Sequence, residues 1–524
     1  MGQKVSIDLI DKTKDKLSDM VLEAKSRLQD CFYADLRVAV AEGQGAVAQD
    51  GMMKSSIRDY GLSYGLRVIA GKQIQAAGYF GQTLGAADTD NLSEVIRDGL
   101  SQAYERAIAS SRIKSEKKSH WQTLGQSLHS TELAPIEICQ DTIPGVYQIN
   151  PIDVSLEEVS RLAQEVSKAV ASYDPRVKIN QILIETSLIR ELFVSSEGAN
   201  IDRTYALTQG LCAVVAVGNS GIQQSHYDCL GHQRGWEILT DGIEEELLRS
   251  KPFMHFALDL AADSVSLSEA RPCPSSGKEV VVVTDPHYNA LLVHEIIGHP
   301  TELDRALKLE TAYAGRSWFF RNLKENMLGK QVASPLVSAY SDPLLQGYGH
   351  YEYDDEGTPV KRVMHIDKGI FCGFMNSRQT AAILGVSPNG HLKATAASFV
   401  PLIRMSTTVF GNGERDPKGI LSEVDHGYYL VGHRIPSISE SRENFRITAR
   451  KVFEIRNGEL GEMFRDGGIM ANTKDYLMSV DAVGNDLRIY SIFNCGKGQP
   501  MQAKKLGNGG PTVRAHARLV GGKG

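Results

Sequence analysis

The sequence has no CxxC pair, and its seven cysteines (Cys31, Cys139, Cys212, Cys229, Cys273, Cys372 and Cys495) are scattered and odd in number. A disulfide framework is therefore excluded, and a reducing, cytoplasmic setting is expected. No apolar run approaches the roughly 18 residues that span a bilayer, so no membrane association is expected. The amino terminus opens on charged residues without an apolar stretch, so a secretory leader is not expected either. Positive charge is not in excess: the formal net charge is -6 and the pI about 6.2. That gives no electrostatic reason to expect direct nucleic-acid binding. Short-period repeats, heptads and low-complexity tracts are also missing.

What is present is a chain of 524 residues with ordinary globular composition, long enough for two or three domains. Residues 6–29 carry Leu9, Leu17, Met20, Val21 and Leu28 at helical spacing, and 35–42 alternate with Leu36, Val38 and Val40 on one face. Further strands are expected near 56–60 and 65–79, interrupted at Gly71, and a helix over 91–111. Helix, antiparallel strands and helix in that order predict an α+β fold rather than a doubly wound one. Residues 113–150 are polar and irregular and read as a linker. Ser155 with Glu158 three positions on forms a capping box for a helix over 155–172. Strands between 181 and 217 and a helix over 241–262 follow.

The Pro- and Ser-rich stretch 271–277 marks a boundary. It separates an N-terminal α+β domain (1–270), an antiparallel sheet with packed helices divisible at the linker, from a β-rich C-terminal domain (271–524). In the second, the β-branched run 280–283 predicts a buried strand, followed by a helix over 288–299. Another helix is expected over 418–426, and the glycines of 507–510 read as turns.

The chemistry concentrates in His294-Glu295-Ile296-Ile297-Gly298-His299. Imidazole is the commonest zinc ligand, and a glutamate beside it can serve as general base. The familiar spacing is H-E-x-x-H, with both histidines on one helix face. Here they stand five apart, and in a regular helix they would diverge by roughly 140°. A one-residue π-bulge would bring them back together. Gly298 can relax the backbone there, and Pro300 removes a helix hydrogen bond and clashes with the carbonyl of Ile296. A widened or broken helix is therefore predicted at 297–299. A catalytic zinc also needs a third protein ligand. Glu302, Asp304, His350, Glu356, His365, Cys372, His391, His426, His433 and Cys495 are all candidates, and composition does not choose among them.

Taken with its surroundings, the motif resembles the TldD/PmbA metallopeptidases, historically called modulators of DNA gyrase. The likeness runs through Pro272-Cys273-Pro274, the motif itself, Asp354-Asp355-Glu356-Gly357-Thr358-Pro359 and Asn376-Ser377-Arg378. It continues through Pro401-Leu402-Ile403-Arg404-Met405, Val483-Gly484-Asn485-Asp486 and Asn494-Cys495-Gly496-Lys497-Gly498-Gln499. The resemblance implies Zn2+ held by His294, His299 and Cys495, with Glu295 as the base that activates water. It also implies a catalytic, TldD-type subunit cutting small or unfolded peptides held as an added β-strand. The implied assembly is a homodimer, or a heterodimer with a motif-less paralogue. Two departures stand out. Residues 432–450 lack the Gly-rich loop expected after the preceding helix and read His433-Arg434-Ile435-Pro436. The chain is also longer than typical members around 111–141 and 319–345.

Arg404 is the candidate for stabilising the oxyanion. Asp354, Asp355 and Glu356 either orient ligand histidines or form a solvated turn. A different reading is a non-catalytic subunit that holds peptide for a partner. The dipeptidyl peptidase III family shares the motif's spelling, but its downstream Glu-Glu-Cys-Arg is missing here.

Overall fold

Long alternating strands build the first half of the molecule. The computed structural model describes residues 5–117 and 130–522. Strands β1 (Cys31–Gln49) and β2 (Met52–Ala70) form an antiparallel hairpin. The two residues that join them, Asp50 and Gly51, both have positive φ (51° and 78°), as a tight primed turn requires. β3 (Ala76–Leu84) pairs with β2. β4 (Gln140–Ile143) and β7 (Gln223–His232) both pair with β6 (Asn200–Val217), and β5 (Val177–Ser195) joins β6 to β1.

Alternation sorts the two faces of this sheet. Leu36, Val38 and Val40 of β1 pack under the helices Leu9–Leu22 and Leu92–Glu116. Ala46 and Ala48, on the same face, pack under the helices Leu156–Tyr173 and Phe253–Glu269. Residues of opposite parity meet the C-terminal half: Arg37 Nη1 lies 3.1 Å from Asp355, and Arg67 Nη1 lies 3.1 Å from Glu356.

The fold is α+β, as expected, with corrections in detail. The linker 113–150 is partly structured. Its first residues finish the helix Leu92–Glu116, and its later ones form β4, which runs parallel to β6; residues 118–129 of that expectation lie outside the described residues. The helix expected over 241–262 starts instead at Phe253, just after Pro252. The preceding residues make a small two-stranded pairing, and Gly242 with φ +86° turns the chain into it. Ser155 caps its helix as predicted, accepting from the Glu158 amide at 3.1 Å.

Every strand of the two larger remaining sheets comes from residue 271 onward. In the eight-stranded sheet, Glu279–Thr284 lies between His426–Ile438, parallel to it, and Val513–Val520, antiparallel. The six-stranded sheet ends on Gln502–Gly510 and the edge strand Arg488–Lys497. The helix Pro286–Val293 is sandwiched between the two sheets, touching His426–Ile438 on one side and Gln502–Gly510 on the other. This burial on both sides explains the unbroken apolar run Ala290-Leu291-Leu292-Val293, each residue of which is buried. The expected helix at 418–426 is shorter, Pro417–Ser422. Among the described residues no helix is long and apolar enough to cross a membrane, and all seven cysteines are free.

Candidate metal centre

Asp285 starts the motif helix: its side chain accepts from the Tyr288 amide at 2.7 Å, and Pro286 follows at the first helical position. The helix is regular to Val293 and then widens, so that His294–Gly298 is one turn of π-helix. The His299 amide bonds back to the His294 carbonyl, five residues away. The same bond that widens the turn sets the two imidazoles side by side, with ring centroids 4.7 Å apart and planes perpendicular. Pro300 has no N–H to continue the ladder, and a 3-10 turn, His299–Thr301, follows. The Thr301 hydroxyl donates to the carbonyls of Ile297 and Gly298 at 2.8 and 2.9 Å, satisfying groups that the distortion leaves open.

Gly298 serves a different purpose from the one expected. Its φ of -56° is ordinary helix. What it provides is room: a Cβ there would lie 1.9 Å from Met405 Sδ.

Cys495 reaches the histidines from across the fold. The pairing of Arg488–Lys497 with Gln502–Gly510 slips between Ile492 and Cys495, and such a bulge re-aims a side chain. Cys495 Sγ stands 3.5 Å from His299 Nε2. Among the described residues, His294, His299 and Cys495 form the one trio of His, Cys, Asp or Glu with ligand atoms all within 4.8 Å of one another. The other nine candidates for a third ligand do not join it.

Each ring is held from behind. His294 Nδ1 lies 3.0 Å from Asn508 Oδ1, while the Asn508 amide donates to the Thr408 carbonyl at 3.1 Å. His299 Nδ1 lies 3.1 Å from Glu302 Oε2. Both Nδ1 atoms thus carry the proton, and both Nε2 atoms are left as acceptors. Glu302 is itself embedded in charge, with Arg305 Nε at 2.8 Å and Lys497 Nζ at 3.2 Å. Burial pushes its carboxyl up, but Lys497 and His299 outweigh that and hold it well below the usual range. Lys497 also bonds Asp304 at 2.7 Å and the Ile403 carbonyl at 2.7 Å.

The electrostatics suit a cation. Burial raises the Cys495 thiol, yet His299, His294 and Arg404 bring it well below its ordinary value. Burial lowers His294, but the neighbouring Cys495 raises it to about 9. Without a metal, His294 and Cys495 pair as imidazolium and thiolate; a cation displaces that proton and then meets two nitrogens and one sulfur as donors.

Glu295 adjoins the trio. Arg442 Nη1 lies 2.5 Å from its Oε2. Burial raises the Glu295 carboxyl, and Arg442 with the two histidines lowers it, to a net fall below its ordinary value.

The terminal nitrogens of Arg404, the candidate oxyanion donor, are both taken by backbone carbonyls. It is wholly buried, with Nη1 donating to the Gln502 carbonyl at 2.9 Å and Nη2 to the Cys495 carbonyl. It pins the two strands that present Cys495. Asp354, Asp355 and Glu356 touch neither histidine of the motif. They sit in a buried turn at Gly357 (φ +73°): Asp355 pairs with Arg37 and Lys393, Glu356 with Arg67, and Asp354 accepts from the amides of Glu356, Thr358 and Leu392.

Three contributors escaped the reading of the sequence. Arg442 follows no motif. Asn508 lies among glycines read as turns, which in fact form a buried strand. Lys497 stands inside the Gly-Lys-Gly that flanks Cys495, but a lone lysine carries no sign of being buried.

Models of the PmbA/TldA metallopeptidase central and C-terminal domains match residues 149–253 and 276–522. A protein named metalloprotease from Methanothermobacter thermautotrophicus is 32% identical over 374 residues, 71% of this chain and 76% of that one. A protein named zinc metalloprotease TldD homolog from Saccharolobus solfataricus is 29% identical over 252 residues, 48% of this chain and 53% of that one. The crystal structure of TldE from Thermococcus kodakarensis matches with a TM-score of 0.68 at 16% identity, covering 96% of this chain and 99% of that one. At that identity the likeness is one of fold.

Proposed function

The chain belongs to the TldD/PmbA metallopeptidase family, and on that footing we propose that it is a zinc-dependent peptidase that hydrolyses small or unfolded peptides. The observation that carries this reading is the convergence of His294, His299 and Cys495 within 4.8 Å, with the Glu295 carboxylate beside them. His294 Nε2, His299 Nε2 and the Cys495 thiolate would hold the ion. When bound, zinc would supply a Lewis acid that polarises the scissile carbonyl and acidifies water. Glu295, kept ionised by Arg442, takes the proton of the attacking water and delivers it to the leaving amine. Glu302 and Asn508 keep the imidazoles in one tautomer and orientation.

An extended peptide suits the setting. Cys495 lies on the edge strand of its sheet. That edge is covered by the Ile489 amide bonding Leu247 at 2.8 Å and the Ser491 hydroxyl bonding Gly231 at 2.6 Å. Cys229 also meets the backbone of Ser491 and Phe493, so Asn494, beside the bulge, is where a backbone would add as a further strand. The proposed assembly is a cytoplasmic homodimer, or a heterodimer with a motif-less paralogue.

The test is metal analysis of the purified chain, alone and with any co-purifying partner, beside hydrolysis of an unstructured peptide. Stoichiometric zinc and turnover are expected. Glu295→Gln should keep the zinc and lose turnover. A metal-free, inactive chain would favour the non-catalytic, peptide-holding subunit instead.

A further inference from the structure

The three candidate ligands all come from the second half of the molecule, yet the first half grips a segment that leads directly to them. That segment is a strap over residues 394–399. Three adjacent strands form its seat. Arg37 of β1 stands opposite Gly65 of β2, and Gly65 stands opposite Gly81 of β3. The two glycines open a trough. A Cβ at Gly65 would lie 2.0 Å from the Ala397 carbonyl oxygen, and one at Gly81 would lie 2.0 Å from that of Ser398. Tyr79 flanks the trough, two residues before Gly81 and on the same face.

Arg37 Nη2 donates to the carbonyls of Ala397 and Phe399 at 3.1 and 2.6 Å. The Tyr79 hydroxyl lies 2.8 Å from each of the same two oxygens. Arg37 Nη1 meets Asp355 at 3.1 Å, and Asp355 accepts from the Ala394 amide at 2.7 Å. One guanidinium thus holds both ends of the strap. Arg37 is buried, so these charge-assisted bonds are shielded from water.

Other bonds of the strap run to the strands that present Cys495. The Thr395 amide donates to Gln502 at 3.2 Å and its hydroxyl to the Ala503 carbonyl at 2.5 Å, while Gln502 Nε2 donates to the Val400 carbonyl at 2.8 Å. Gln502 and Ala503 pair with Lys497 and Gly496, next to Cys495. Beyond the strap, Leu402–Ile403 lies in a two-stranded pairing with Leu392–Lys393, so no large sheet fixes it. From there Arg404 bonds the Cys495 carbonyl, and Met405 fills the space beside Gly298. The strand that bears the thiol and the turn that bears the histidines both lean on where the strap sits.

We propose that Arg37 and Tyr79 are positioning residues for the metal centre: by fixing the strap they set the aim of the Cys495 thiolate. This inference rests on the metallopeptidase reading above. Three features set the contact apart from general packing between the halves. The trough is shaped by two glycines, two side chains share the same two carbonyls, and the strap continues into the strands beside the ligand.

The experiment loads the full chain with Co2+ in place of zinc. Chelator competition measures metal affinity, and the thiolate-to-cobalt charge-transfer absorption reports how the sulfur meets the ion. Tyr79→Phe keeps the ring and loses the hydroxyl. Arg37→Lys keeps a charge toward Asp355 and loses the fork. Gly81→Ala fills the trough and removes no hydrogen-bonding group. Each is expected to weaken metal binding about tenfold and to shift the absorption. In excess zinc, kcat should return to within about fivefold of the wild type, with KM within about twofold. Val40→Ala serves as the control, because Val40 packs under the helices on the other face of the sheet. It should lower the unfolding midpoint and leave both metal readouts unchanged.

Unchanged affinity and absorption in the folded variants would overturn the proposal. So would a KM that rises while both stay fixed, which would make the strap a substrate contact, or an equal loss of affinity in Val40→Ala. If Arg37→Lys does not fold, Tyr79→Phe and Gly81→Ala decide. A wild-type chain without thiolate absorption fails the metal reading and takes the proposal with it. Absorption in the wild type that every variant shares unchanged fails the proposal alone.

Discussion

The Nη1 nitrogen of Arg442 lies 2.5 Å from Oε2 of Glu295 and 3.2 Å from the backbone oxygen of the same residue, and Arg442 holds this position with φ +63°. A left-handed backbone at a residue other than glycine costs about 1–2 kcal/mol. Here the Thr473 hydroxyl, donating to the Arg442 carbonyl at 2.7 Å, helps to keep it there. Strain of this kind gathers at functional positions. Arg442→Ala and Arg442→Gly both remove the ion pair, and kcat should fall about ten- to a hundredfold in each, with zinc content unchanged. Only glycine also relieves the backbone. In urea denaturation the Gly variant should therefore be the more stable of the two by about 1 kcal/mol. Equal stabilities would remove strain from the account.

Gly298 and Met405 form a second testable pair. A Cβ at 298 would meet Met405 Sδ at 1.9 Å, so Gly298→Ala should destabilise by about 1–3 kcal/mol through overpacking. It should also displace His299, read as weaker zinc retention against a chelator. Met405→Ala opens space where the new methyl would go. The double variant should recover most of the zinc retention, a non-additivity expected of contacting residues. Strictly additive losses would point back to the backbone as the reason for glycine.

These two pairs show where the sequence was readable. A histidine pair five apart with a following proline has few ways to share one ion, so a widened turn followed from spacing, although it begins at His294 and not, as expected, at Ile297. The α+β order followed from alternation and helical periodicity. The third donor did not follow. Which of ten side chains folds back across 196 residues to His299 depends on a strand slip between Ile492 and Cys495, and no local pattern encodes that; it was reached through family resemblance alone. The glycines at 507–510 misled for a related reason. A Cβ at Gly509 would lie 1.9 Å from the Arg488 carbonyl, so glycine there marks close strand packing and not a turn. Close approach and conformational freedom leave the same letter in a sequence.

Arg404 separates positioning from chemistry. Its contacts are the carbonyls of Cys495 and Gln502, so Arg404→Met should loosen the strand that presents the thiolate. Zinc occupancy after dialysis should fall. Restoring zinc in excess should bring kcat back to within about fivefold of the wild type, whereas loss of an oxyanion donor costs about a hundred- to a thousandfold whatever the metal concentration. A kcat that stays low at full zinc occupancy would return Arg404 to the reacting atoms.

Acid stability is set in part far from the metal. His226, on β7, is 2% exposed, and neither ring nitrogen has a partner. Burial, with Arg434, Arg450 and Lys451 nearby, lowers it from 6.5 to about 3. The folded state therefore keeps this ring neutral at pH values where the unfolded chain protonates it. Above pH 6.5 the group has no effect on stability. As the pH falls from 6.5 toward 3, the unfolded state binds the extra proton and stability is lost at about 1.4 kcal/mol per pH unit. His226→Phe removes both the titration and the two unpaired nitrogens. Its unfolding free energy should match or exceed the wild type at pH 7.5, and its advantage should grow by about 2 kcal/mol between pH 6.5 and pH 5. Chemical denaturation at those three pH values measures this directly. A difference between the two proteins that stays constant with pH would mean that His226 is protonated in the folded state, with an acceptor that these contacts do not supply.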